Sequence, residues 1–114
     1  MTDPSSHEMT IRAPYLRLIA SGVKTVEIRV GYPRMRKIRP GDTLTFISGD
    51  ERAPTRVKRV TEYPSFDSML ASEDPRSIGG DLGENPAELL TVIRGIYPPD
   101  KERLGVLAIE VERA

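Results

Sequence analysis

Six residues, Thr25-Val26-Glu27-Ile28-Arg29-Val30, constrain this chain more than any other stretch of it. Apolar and polar side chains alternate strictly, and an extended strand sends successive side chains to opposite faces. Val26, Ile28 and Val30 therefore share one face, and Thr25, Glu27 and Arg29 share the other. Gly22 precedes the run and closes a short helix, while Lys24 stands at the strand's entrance. A face that carries a hydroxyl, a carboxylate and a guanidinium beside a lysine is either solvated surface or the polar floor of a pocket.

The remaining punctuation arranges several short elements around this strand. Residues 1–8 are polar, contain a proline and read as a disordered tail, and residues 9–114 read as one domain. A first strand is expected over Met9–Ala13. Pro14 suits the first position of a helix, with Tyr15, Leu18 and Ile19 at helical spacing up to Gly22. Residues 31–41 form a basic loop ending in Pro40-Gly41, a turn in which glycine supplies the positive φ. Asp42–Ser48 reads as a strand, Gly49–Pro54 as a polar turn, and Thr55–Tyr63 as a strand with room for a bulge. Ser65 caps a helix that buries Phe66, Met69 and Leu70. Residues 74–85 read as loop. Asn85-Pro86-Ala87-Glu88 opens a second helix with a cap, a proline and a glutamate at the favoured spacing. Leu104–Glu112 is a final strand. The order predicts an α+β fold with a small curled sheet or barrel.

Composition narrows the chemistry. At 114 residues a single core can bury roughly two-thirds of the unfolded chain's surface. Without cysteine, disulfides, thiolate metal sites and cysteine nucleophiles are excluded, and a reducing, cytoplasmic setting is expected. The single histidine, His7, falls in the expected tail, so neither a histidine base nor a zinc constellation can be assembled. No cofactor or metal is expected. No apolar run approaches the ~18–20 residues of a membrane span. Net charge is zero but unevenly spread: residues 24–59 hold ten Lys/Arg against four acids, and residues 61–93 hold seven acids against Arg76 alone. A basic half can attract a polyanion locally.

The Gly22-Val-Lys24-Thr25-Val-Glu27-Ile-Arg29 run after a short helix resembles the signature of the ASCH domain, a member of the PUA-like superfamily. The Lys37-Ile-Arg39-Pro-Gly-Asp42 turn, the Tyr63-Pro-Ser-Phe66 start of a helix, and Ile96-Tyr97-Pro98 before the last strand carry the resemblance across residues 9–112 in order. It implies a small β-barrel of about five to six strands flanked by two to three helices, with a cleft that receives a nucleobase or an RNA end. Family members include ribonucleases and proteins similar to the amidohydrolase that deacetylates N4-acetylcytidine. In that group the motif lysine, a threonine three positions later and a glutamate before the second long helix are active. The resemblance carries these roles to Lys24 and Glu84, but Glu27 stands where the threonine should be.

On this reading RNA or a nucleoside is the expected partner, with no membrane involved. Lys24, Thr25, Glu27 and Arg29 would floor the cleft. Tyr32 and Tyr97 are candidates to stack on a base, and Arg34, Arg36, Lys37 and Arg39 to track phosphates. If the domain is an enzyme, Lys24, Glu27 and Glu84 are the candidate proton-transfer groups. A protein-interaction or ligand-sensing domain without nucleic acid stands as the remaining class.

Overall fold

The computed structural model describes residues 4–79 and 86–114. Five strands, β1 (Ser6–Thr10), β2 (Val26–Val30), β3 (Thr43–Ser48), β4 (Glu51–Tyr63) and β5 (Val106–Arg113), form one sheet in the order β1-β3-β4-β5-β2. Only β1 and β3 pair in parallel, and the other three pairings are antiparallel. The sheet curls into a half-barrel whose edges are β1 and β2. Four helices accompany it among the described residues: α1 (Ala13–Ser21), α2 (Phe66–Ser72), α3 (Pro75–Gly79) and α4 (Pro86–Ile96). The α+β class and the flanked, barrel-like sheet are those expected. None of these helices is long and apolar enough to cross a membrane.

Local chemistry sets most boundaries. Gly22 takes φ 85° and its N–H closes on the Ile19 carbonyl, ending α1 where a left-handed residue is needed. Gly41 takes φ 93° in the turn into β3. The Ser65 side chain accepts from the Ser68 N–H and caps α2. The ladder between β4 and β5 shifts register between Val57 and Arg59, the expected bulge.

Several boundaries differ from expectation. The first strand, expected to reach Ala13, stops at Thr10 because Ala13 opens α1, and the last begins at Val106 rather than Leu104. The first strand begins at Ser6 rather than Met9, so Ser6–Glu8 are paired strand and not tail. Asp42 holds this segment: its carboxylate lies 2.8 Å from His7 Nε2 and accepts from the Ser5 and Arg39 N–H groups. Glu51–Pro54, expected in a turn, extend β4 by pairing with β3 as far as Ser48. Pro75–Gly79, expected in a loop, form the short helix α3. The expected cap at Asn85 lies outside the described residues.

Two cores share the sheet. Leu107, Ile109 and Val111 of β5 pack with α1, β1, β3 and β4. Val106 and Ala108 pack with the apolar face of β2 and with α2, α3 and α4. Glu27 pairs opposite Ile109 and Arg29 opposite Leu107, and directly opposed residues share a face. The polar face of β2 is therefore turned toward the inside of the curl. It is not solvated surface.

The sequence's charge segregation is partly offset in the fold. Arg36 pairs with Glu62, Arg59 with Glu73 and Glu110, and Arg52 with Glu8. Two of these pairs, Arg36–Glu62 and Arg59–Glu73, join the basic stretch to the acidic one.

Candidate functional site

The reversal at Gly22 determines where Lys24 goes. The Val23 and Lys24 N–H groups both bond the Leu18 carbonyl at 3.0 Å, turning the chain back across the end of α1. The lysine side chain then enters the protein and is only 3% exposed. Its Nζ donates to the Val26 carbonyl at 2.6 Å and to the Ile78 carbonyl at 2.5 Å, and lies 3.2 Å from Glu27 Oε1. Three acceptors meet three N–H donors. With Glu27 ionised, all three neighbours are acceptors, an arrangement that favours the ammonium. Burial pushes its pKa below the ordinary lysine range, and Glu27 opposes that push.

Glu27 is divided between two cations. Its Oε1 faces Lys24, and its Oε2 accepts from Arg29 Nε at 2.8 Å and lies 2.7 Å from Arg29 Nη2. Burial pushes its carboxyl up, but Lys24 and Arg29 outweigh this and hold it below the usual carboxylate range. Arg29 Nη2 also donates to the Thr10 carbonyl at 2.8 Å. The trio carries two positive charges and one negative, a net charge of +1 beneath a largely apolar opening.

That opening is a groove of about 240 Å³. Lys24, Glu27 and Arg29 form its floor, with Thr10, Ile11 and Arg12 on one side and α4 residues Leu89, Val92, Ile93 and Ile96 on the other. Tyr15 and Tyr97 also line it. Tyr97 stacks on Phe66 with ring centroids 6.0 Å apart, which orients its ring. Val92 and Ile96 stay 40% and 53% exposed, an apolar lip that no described element covers.

Of the residues predicted for the site, Lys24, Glu27, Arg29 and Tyr97 converge on this groove. Thr25 does not: it lines a second cavity of about 410 Å³, with Thr55, Lys58, Glu110, Arg113 and Lys24, which borders both. Tyr32 packs between the two cores, under Lys101. Arg36 is committed elsewhere, donating to both Glu62 oxygens and to the Gly31 and Leu104 carbonyls. Arg34, Lys37 and Arg39 are exposed and lie outside the groove walls. Glu84 lies outside the described residues. Sequence reasoning missed Arg12, Tyr15 and the α4 wall. The positions of Arg12 and Tyr15 around the expected helix start carried a signal for the first two, since an N-terminal helix turn projects side chains toward the preceding strand end.

These features define a class: an α+β domain of the PUA-like kind, a curled five-stranded sheet with a polar-floored groove against its helices. The ASCH domain family model matches residues 9–114, and the chain belongs to that family. Its fold is similar to the crystal structure of hypothetical protein PH0355, at 32% identity over 96% of this chain and 99% of that one, with a TM-score of 0.87. It is also similar to the solution NMR structure of protein PF0455 from Pyrococcus furiosus, at 33% identity over 95% and 96% of the two chains, with a TM-score of 0.76. No curated protein matches the chain.

Proposed function

We propose that this domain binds a nucleobase in the groove, presented by a nucleoside or by RNA, and that the base carries an exocyclic amino group. The observation that carries this is Glu27, a carboxylate kept ionised by Lys24 and Arg29 at the floor of an apolar-walled groove. A carboxylate has about four lone-pair sites, so Glu27 can still accept from an amino group such as cytosine N4. The volume of about 240 Å³ falls just below the ~300–1,000 Å³ of sites for drug-sized ligands, which suits one base rather than an extended strand. Tyr15 and Tyr97 supply aromatic edges or faces for it.

Binding accounts for the geometry better than hydrolysis does. The three donors of Lys24 are engaged, so its nitrogen has no free lone pair with which to act as a base. Glu27 replaces the hydroxyl expected of an amidohydrolase, and its two cations make it a poor proton donor. Lys24 acts here by positioning Glu27.

The test is an amide-resolved NMR titration with cytidine, adenosine and uridine, for wild type and Glu27→Gln, with N4-acetylcytidine checked for turnover by chromatography. Cytidine and adenosine should shift the β2 amides, uridine should not, and Glu27→Gln should weaken binding by about 5- to 150-fold, the range of one good base contact. Equal binding of all three nucleosides, or hydrolysis of N4-acetylcytidine by wild type, would overturn the reading.

A further inference from the structure

We propose that the groove takes its base as a nucleoside phosphate, with Arg12 and Arg29 as the phosphate ligands. This rests on the base-binding reading and names the form of its ligand. Arg12 lines the groove beside Thr10 and Ile11. Its backbone is held, since its carbonyl accepts from the Tyr15 and Leu16 N–H groups at 3.1 and 3.0 Å. Its side chain is exposed and, among the described residues, makes no hydrogen bond or ion pair. Six of the thirteen arginines, Arg17, Arg29, Arg36, Arg52, Arg59 and Arg94, are instead paired with carboxylates. What sets Arg12 apart from the other exposed arginines is its place on the groove wall.

Arg29 supplies a second group. Its Nε and Nη2 are used by Glu27 and Thr10, but Nη1 has no acceptor among the described residues. Guanidinium N–H pairs match phosphate oxygens, and such charge-assisted bonds are stronger than neutral ones. Charge arithmetic agrees. Lys24, Arg29 and Arg12 against Glu27 leave +2 around the groove, and a phosphate monoester carries about −1.5 to −2 at pH 7. A neutral nucleoside would cover that excess with apolar surface and leave it uncompensated.

Calorimetric titration of the whole chain with cytidine, cytidine 5′-monophosphate and inorganic phosphate, at two salt concentrations, tests this. The monophosphate should bind at least 10-fold more tightly than cytidine at low salt. Arg12→Gln should collapse that ratio toward one, and Arg12→Lys should restore part of it. Equal affinities for cytidine and its monophosphate, or an unchanged ratio in Arg12→Gln, would overturn the phosphate assignment and spare the base reading. Equal affinities for the monophosphate and inorganic phosphate would instead overturn the base reading, and the proposal with it. A 5′-phosphorylated against a 5′-hydroxyl RNA hexamer identifies the source. Discrimination there as large as between the free nucleotide and nucleoside supports an RNA end, and its absence beside tight monophosphate binding supports a free nucleotide.

Discussion

Arg29 donates to the Thr10 carbonyl at 2.8 Å, and this one bond ties the two edge strands of the sheet to each other. Thr10 ends β1 and Arg29 lies in β2, strands separated in the sheet by β3, β4 and β5. The half-barrel is thereby bridged at the floor of the groove by the same guanidinium that holds Glu27. Closure of the fold and construction of the site are one interaction.

Replacing Arg29 should therefore cost stability as well as ligand. Arg29→Ala leaves Glu27 with a single cation and the Thr10 carbonyl without this donor. Breaking a fully buried pair costs about 3–5 kcal/mol. Arg29 keeps 19% side-chain exposure, so a loss of about 2 kcal/mol is expected in urea unfolding. Arg29→Lys keeps the charge but not the fork, and should fall between the two. An Arg29→Ala protein as stable as wild type would show that the bridge contributes nothing to the fold.

Lys24 makes a sharper case. Lys24→Met removes the ammonium, strands two buried carbonyls and leaves the Glu27 carboxylate to Arg29 alone, so about 3–5 kcal/mol should be lost. Adding Glu27→Leu removes the half-paired carboxylate but leaves Arg29 without its acid, so the double variant should lose less than the sum of the two single losses. The coupling energy, of the order of 1–3 kcal/mol for residues in contact, is read from a double-mutant cycle in urea. Strictly additive single losses would mean that Lys24 and Glu27 do not depend on each other.

How much of this was legible in the sequence is best seen on β2. Strict alternation assigned Val26, Ile28 and Val30 to one face and Glu27 and Arg29 to the other, and the structure keeps that division. Alternation cannot say which face meets water, because that depends on what packs above it. Here Thr10 of β1 and Tyr15 of α1 border the polar face, and β1 is held there by its pairing with β3, far away in sequence. Arg36 shows the same limit from the other side. A dense basic loop suggests phosphate contacts, yet the matching acid is Glu62, 26 residues on, which no local pattern reveals. Leu89, Val92, Ile93 and Ile96 recur at helical spacing, but nothing in that pattern marks them as the side of a groove.

Glycines around Arg36 offer a contrast that separates packing from backbone effects. A Cβ on Gly105 would fall 2.5 Å from Glu62 Oε2 and 2.7 Å from Arg36 Nη2, at a φ of +87°. On Gly31 it would fall 2.6 Å from the Leu104 carbonyl oxygen, a backbone atom that cannot step aside. Alanine at either site should cost about 2–3 kcal/mol, at Gly31 from crowding against backbone and at Gly105 chiefly from the positive φ, since Glu62 and Arg36 meet the Cβ with their flexible ends. Gly41 has φ +93° but open space around it, so alanine there carries only the backbone cost of about 1 kcal/mol. Gly95 lies within α4 with open space, and Gly95→Ala should stabilise by about 0.5–1 kcal/mol. Thermal unfolding of the four variants should rank them in that order.

The acid limb of stability follows from three carboxylates. At Asp42 burial pushes the pKa up, but the His7 contact and the Arg39 and Ser5 N–H groups outweigh it. At Glu73 hydrogen bonds from Arg59 lower it, against burial and with help from Tyr63. Glu27 is lowered by Lys24 and Arg29 against its burial. Each folded pKa lies below its unfolded value of about 3.9 for Asp or 4.3 for Glu. Between the two values the unfolded chain binds more protons, so stability rises with pH. The contribution is fully present above the unfolded values and is lost as pH falls through the folded ones. Urea unfolding should therefore give stability flat in these groups from pH 7 to about 5, then falling steadily below about 4. Asp42→Asn and Glu73→Gln should each be less stable at pH 7 and lose less on going to pH 3. A wild-type stability unchanged between pH 5 and pH 3 would contradict the lowered pKa of all three groups.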